Sequence, residues 1–368
     1  MARRLLILNG LATLAAVVYH ASGWGYTAMF WWADRYRAAR TPDFADMGSA
    51  GYYALRLVEQ AAVFGMPAFL LVSGFFIAFS AGRRGRSAGW GTVARRMAGL
   101  AVPFALWSLL ILGLRAVEGA RFSFAGLLVA VATGQATPAY YYIPVLVQLY
   151  ALSWILVPAA RRHWKPVLLA SAAVQGTVMI LRYVQVLQPS AGWAQPAMFL
   201  ARSWFFPGYL FWFALGIVVG FHWAPIKAAL ARVRPLLPFL AAAGLVAGML
   251  EWEWLLAHSG REWIGTRETL VDDLFIVAVL LGYLSWEGNL PLAERFAALG
   301  TRSYGVYLIH LPILEVTARS VYHWAPALLA YPSVFLPLLV LAGLGMPLLL
   351  MDAVERSPAR RYYQLAFG

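Results

Sequence analysis

The chain has 368 residues, of which 62% are hydrophobic and 12% charged, with 16 Trp, 18 Tyr and 21 Phe. A soluble domain is roughly a quarter charged, so this composition excludes one and places the chain in a bilayer. The net charge of +13 falls in short clusters between apolar runs, a membrane-orientation pattern and not a phosphate-reading surface, and the lack of cysteine excludes disulfides, thiolate nucleophiles, Cys-ligated zinc and palmitoylation.

About ten stretches reach the ~20 residues that a spanning helix needs. They are 4–24, 53–80, 95–116, 140–160, 166–187, 204–223, 236–256, 269–286, 303–323 and 328–352. The expected fold is an all-α polytopic membrane protein: a single transmembrane domain over 1–368, with no appended soluble domain. Met1-Ala2-Arg3-Arg4 imitates the start of a signal peptide. The apolar run behind it is too long, carries Asn9 and His20, and is followed by many more spans, so an uncleaved first helix is predicted.

At about 100° per residue, Asn9, Thr13, Ala16 and His20 share one face of that helix, with Asn9 and His20 about 16 Å apart. An ionisable group inside a span is costly, which makes His20 a functional-site candidate; the alternative is a histidine that only hydrogen-bonds helices together. In the second span Arg56 and Glu59 lie one turn apart and suit a local pair. The third contains Pro103, where a kink is expected. Residues 122–135 read as an interfacial or re-entrant helix.

Further along, Glu251 and Glu253 lie near the end of the seventh span, and Asp272 and Asp273 near the start of the eighth. Ser303, Tyr307 and His310 share a face of the ninth, where Glu315 and Arg319 follow at ion-pair spacing. These charges concentrate in the outer half and predict a polar cavity there, with Arg56, Glu59 and Glu315 on the acceptor side. His310 competes with His20 for a catalytic role but lies nearer the cytoplasmic end of its helix. His163, His222, His258 and His323 fall at span ends, where solvated imidazoles are ordinary. No zinc-protease spacing, phosphate loop or nucleophile elbow occurs, and no metal site is expected. An enzyme built from these parts uses a histidine as general base on an acceptor hydroxyl, with cationic groups holding an anionic donor.

The basic clusters are Arg3-Arg4, Arg83 to Arg96, Arg161 to Lys165, Lys227 to Arg234, and Arg356 to Arg361. All fall on one side for an even number of spans, which predicts cytoplasmic termini. The opposite side receives the loops 25–52, 188–203 and 257–268. Trp24, Phe30, Trp31 and Trp32 at the first of these suit stacking on sugar rings and equally an interfacial aromatic belt.

Six segments in order resemble the integral-membrane acyltransferases of type 3, which O-acylate sugars and other hydroxyl compounds from acyl-CoA. They are the first helix ending at His20; Met66-Pro67-Ala68-Phe69-Leu70-Leu71-Val72-Ser73-Gly74-Phe75; and Arg95-Arg96 leading to Pro103. Tyr142-Ile143-Pro144-Val145-Leu146 through Tyr150, Gly300 through Pro312, and Val354-Glu355-Arg356-Ser357-Pro358 complete the set. Two positions depart from the family's pattern: Asn9 and Gly99 stand where it usually carries basic residues.

The resemblance implies a donor such as acetyl-CoA entering from the cytoplasm, no bound cofactor, and His20 as general base. It implies that Asn9, Thr13, Arg96, Arg302, Ser303, Tyr307 and His310 bind the donor or orient the base. Arg83, Arg84, Arg86 and Arg95 are further phosphate partners, with topology setting as their other role. The implied partners are acyl-CoA, a carbohydrate or lipid-linked hydroxyl acceptor and the bilayer, not nucleic acid. A bacterial cytoplasmic (inner) membrane is the implied location. A polytopic transporter or flippase, and a non-catalytic scaffold with the same fold, are the competing readings. Neither related halves nor paired broken helices of a transporter are visible in the sequence.

Overall fold

The computed structural model describes residues 1–32, 43–83, 90–265 and 268–368, with the side chains of Arg83, Trp90 and Thr92 left undescribed. Arg84 and Arg86 therefore lie outside the described residues. No strand occurs among the described residues. The helices are α1 (Ala2–Tyr26), α2 (Ala50–Ala62), α3 (Gly65–Arg83), α4 (Trp90–Val117) and α5 (Phe124–Ala132). They continue as α6 (Tyr142–Arg162), α7 (Trp164–Leu187), α8 (Leu210–Phe221), α9 (Trp223–Val233) and α10 (Leu237–His258). The last are α11 (Leu270–Ser285), α12 (Ala293–Thr301), α13 (Ser303–Trp324), α14 (Pro332–Glu355) and α15 (Tyr363–Phe367). In a bilayer each backbone amide needs an internal partner, which is why apolar runs of this length fold as helices.

Among the described residues, seven helical stretches are long and apolar enough to cross a membrane, or eight if one bent pair counts as a span. That is fewer than the expected ten, for local reasons. The eighth predicted span is α11, only 16 residues long. The ninth is α13, whose interior carries His310, Glu315 and Arg319. The sixth, 204–223, is a helical stretch only over Phe206–Phe221, and Gly192–Ala201, expected in the loop 188–203, is a 3-10 helix that meets it at 64°. Pro207 and Gly208 sit in a 3-10 turn at that break. Gln148 satisfies the freed backbone, its Nε2 donating to the Trp204 carbonyl (2.8 Å) and its Oε1 accepting from Phe206 N (3.3 Å). The second predicted span is divided by a turn at Val63-Phe64 into α2 and α3. α4 runs through Pro103 as one helix.

The contacts divide the chain into two compact units. The first comprises Met1–Gly65, Val102–Arg121 and Leu292–Gly368. In it α1 packs against α2, α12, α13 and α14. Gly10 and Gly300 make its closest crossing: a Cβ on Gly10 would lie 1.9 Å from the Phe296 carbonyl oxygen, and one on Gly300 2.0 Å from that of Leu6. Small residues let helix backbones approach in this way. Ser49 caps α2, accepting from Tyr52 N at 3.1 Å. The Trp107 indole N–H donates to the Ala366 carbonyl at 2.8 Å and holds the C-terminal helix.

The first helix does not stop at residue 24. It continues as a π-helical segment, Thr27–Trp31, so the aromatic residues expected in a loop belong to a helix end. Burial explains the extension: Phe30 is fully buried against the rings of Tyr26, Tyr52 and Phe44. Trp32 stacks on Trp24 and on Tyr322 of α13.

The second unit comprises Met66–Ala101 and Phe122–Pro291. Here α8 packs on α6 and α7, and α10 on α11. α3 and α8 cross through Gly74 and Gly216, whose Cβ positions would fall 2.1 and 2.0 Å from backbone oxygens of the facing helix. Gly74 belongs to the Ser73-Gly74-Phe75 motif, so that motif's glycine has a packing reason. α5 is short and largely exposed, as expected for 122–135.

Candidate active site

In the first unit, the polar side chains of α1 between Leu5 and Ala21 are Asn9, Thr13, Tyr19 and His20. Asn9 spends both amide hydrogens on neighbouring elements: Nδ2 donates to the Gly300 carbonyl (2.8 Å) and to Ser303 Oγ (2.7 Å). It thereby ties α1 to the junction of α12 and α13. Thr13 Oγ1 donates back to the Asn9 carbonyl at 2.8 Å, a local bond within the helix. Of the residues expected to hold a donor or orient the base, Asn9 and Ser303 are thus engaged in joining helices, and Thr13 in a bond within α1.

His20 and His310 come together, with ring centroids 5.4 Å apart. His20 is partly exposed and meets the edge of Tyr19 at 5.3 Å; His310 is buried, 1% exposed. His310 Nδ1 lies 2.7 Å from the Tyr307 carbonyl oxygen and 3.2 Å from that of Val306. A carbonyl oxygen only accepts, so Nδ1 carries the hydrogen and Nε2 is left as the acceptor. Among the described residues that buried Nε2 has no hydrogen-bond partner. α13 therefore presents a fixed lone pair beside the histidine of α1. The Tyr307 ring lies 6.0 Å from His310 and stacks on Tyr304 at 6.3 Å.

The other candidates of this unit are placed differently. Arg56 Nη1 pairs with Glu59 Oε2 at 2.5 Å, both buried, as their spacing predicts. Tyr26, which the sequence reading missed, donates to the same oxygen at 3.2 Å. Its position on α1 gave no cue to a partner on α2. Glu315 pairs with Arg319 at 2.9 Å on an exposed helix surface, not with this buried group. Arg302 is engaged by two carboxylates of α14: Nη1 with Asp352, and Nη2 with Glu355 at 3.1 Å. A phosphate would have to compete with both.

In the second unit, Arg96 Nη2 donates to Ser80 Oγ at 2.6 Å. Tyr150 approaches both Arg96 and Ser73, and Tyr142 also approaches Ser73. Three of the recognised segments therefore converge within this unit. A further cluster, Arg182 with Glu268, was not anticipated. Arg182 lies in the apolar run of the fifth span, so the rule that singled out Arg56 applied to it as well. Among the described residues, no group of three or more His, Asp and Glu side chains is arranged to hold a metal ion.

No curated protein and no solved structure matches the chain. A family profile, described as an acyltransferase domain, matches residues 5–351, nearly the whole chain. The polar face of α1, the paired histidines and the motifs converging on Ser73 all fall inside that match, and the chain belongs to the type 3 acyltransferase family of integral membrane proteins.

Proposed function

We propose that this protein is a membrane O-acyltransferase that moves an acyl group, acetyl in the simplest case, from acyl-CoA to a hydroxyl of a carbohydrate or lipid-linked acceptor. His20 is the general base. The observation that carries the reading is the His20–His310 pair, with His310 locked by the Tyr307 carbonyl so that Nε2 is an acceptor. In the reaction His20 takes the proton of the acceptor hydroxyl as its oxygen attacks the thioester carbonyl. The new C–O bond forms, the C–S bond breaks, and the proton passes to the departing thiolate. A neutral imidazole is required for the first step, and His310 supports its orientation.

Arg96, on the Ser80, Ser73 and Tyr150 network, is the basic residue that fits an anionic donor best, since Arg302 is committed to Asp352 and Glu355. We place the termini in the cytoplasm and the protein in a bacterial inner membrane, on the distribution of basic residues and the family's habit.

The test is acyl transfer by the purified, detergent-solubilised chain given radiolabelled acetyl-CoA and a lipid and polysaccharide extract of its host. Label should enter the extract with wild type and not with His20→Ala, while both proteins melt alike. Transfer by His20→Ala at the wild-type rate would remove the base assignment. No transfer and no acyl-CoA binding by either folded protein would remove the acyltransferase reading.

A further inference from the structure

The second unit holds a polar cluster that the reaction above does not use, where α7, α10 and the start of α11 meet. Glu251 is fully engaged, one carboxylate oxygen accepting from the Tyr183 hydroxyl and the other from Thr269 Oγ1. Asp272 closes the capping box of α11, accepting from Thr269 N at 3.0 Å. Gln175 Nε2 donates to Asp273 Oδ2 at 2.8 Å. Arg182 supplies the cation. Its guanidinium lies over the Tyr209 ring at 5.3 Å and close against Gly208, where a Cβ would fall 2.9 Å from Nη2.

Two buried oxygens remain. Among the described residues neither Glu268 Oε2 nor Asp273 Oδ1 has a hydrogen-bond partner. Glu268 Oε2 forms an ion pair with Arg182 Nη1 at 3.7 Å, too long for a hydrogen bond, while the same Nη1 donates to the Glu268 main-chain carbonyl at 3.4 Å; the Glu268 side chain is only 10% exposed. A buried carboxylate oxygen without a donor costs free energy that a suitable ligand would recover. Burial is the largest influence on the Glu268 carboxyl and, with Asp273 and Asp272 nearby, pushes it up to about 8 despite Arg182.

Glu268 and Arg182 line a pocket with about 370 Å³ of empty space, part of it open. Met179, Val186, Leu255 and Ile264 form apolar walls. The shape of the chemistry is therefore an apolar body with one hydrogen-bond-donating end. Charge selects the end: the cluster holds the carboxyl groups of Glu251, Glu268, Asp272 and Asp273, and among its described residues Arg182 is the cation. We propose that this pocket binds an amphiphile with an ammonium head, the head donating to Glu268 and the hydrocarbon lying against Met179, Val186, Leu255 and Ile264. An ammonium brings both a hydrogen-bond donor for Oε2 and a second positive charge beside that of Arg182 among these carboxyl groups, whereas a hydroxyl brings only the donor and a carboxylate neither.

Calorimetric titration of the full chain in detergent with hexylamine, hexanol and hexanoate tests this independently of acyl transfer. Hexylamine should bind more tightly than hexanol, and hexanoate should not bind. Glu268→Gln, which keeps the shape and removes the charge, should weaken hexylamine by at least about tenfold. Val186→Trp, which fills the pocket, should remove binding of both the amine and the alcohol. Equal affinity for hexanol and hexylamine, unchanged hexylamine binding in Glu268→Gln, or no hexylamine binding to wild type would each overturn the proposal.

Discussion

Gly10→Ala is the most direct probe of how the first unit holds its site. The added Cβ would lie 1.9 Å from the Phe296 carbonyl oxygen, and real Cβ atoms essentially never approach closer than 3.0 Å. The α1–α12 crossing must therefore open by about 1.1 Å, against backbone that has no rotamer to escape into. Overpacking of this kind costs about 1–3 kcal/mol. The same movement strains the two Asn9 hydrogen bonds across the crossing and shifts α1, which carries His20. Misplacement of a reacting group by about 1 Å is worth on the order of 100-fold in rate. Gly23→Ala is the matched control: it lies on the same helix with nothing within 4 Å of its Cβ, and the gain in helix propensity is up to about 1 kcal/mol. The assay is thermal unfolding of detergent-solubilised protein, followed by tryptophan fluorescence, beside acyl transfer. Gly10→Ala should melt lower and transfer poorly, with Gly23→Ala unharmed. If Gly10→Ala melts at or above the wild-type temperature, the close crossing and the reasoning built on it are wrong.

Asn9→Ala should destabilise the first unit by roughly 1–3 kcal/mol, because two short hydrogen bonds to Gly300 and Ser303 are lost and the Gly300 carbonyl keeps no partner from this side chain. Unfolding midpoints in detergent would reveal it, and an unchanged midpoint would count against the clamp. His310→Phe keeps a ring of similar size and removes the Nε2 acceptor of the ring beside His20. It should lower kcat by about 10- to 100-fold with little change in KM for acyl-CoA, and His310→Gln should recover part of the loss. Wild-type kcat in His310→Phe would show that His310 only fills space.

Part of this architecture was legible before any coordinates. Hydropathy located the helices because lipid offers the backbone no other partner, so local sequence decides local structure there. The Arg56–Glu59 pair was legible for the same reason, being one helical turn apart. Interruptions were harder. The turn at Val63-Phe64 lies between apolar residues, and the bend before α8, although Arg202, Ser203 and Pro207 mark it in the sequence, is supported by Gln148 from another helix. The π-helical extension past Tyr26 depends on the pocket that receives Phe30.

By itself, the sequence determined an all-α membrane protein, the approximate place of its helices, the motifs of a type 3 acyltransferase and the candidacy of His20. Only the tertiary structure decided what each polar side chain meets. Asn9 reads as a substitute for a basic ligand, yet its partner Ser303 lies 294 positions away and makes it a helix clamp. His310 looked like a rival of His20 and is its neighbour. Glu315, expected beside Arg56 and Glu59 in one polar cavity, pairs with Arg319 as its spacing suggests, while Arg182 and Glu268 are brought together from separate segments. Hydropathy and helical period are properties of neighbouring residues, so they survive in one dimension. Hydrogen bonds and ion pairs between helices depend on how the helices cross, and in this chain glycines such as Gly10 and Gly300 set those crossings.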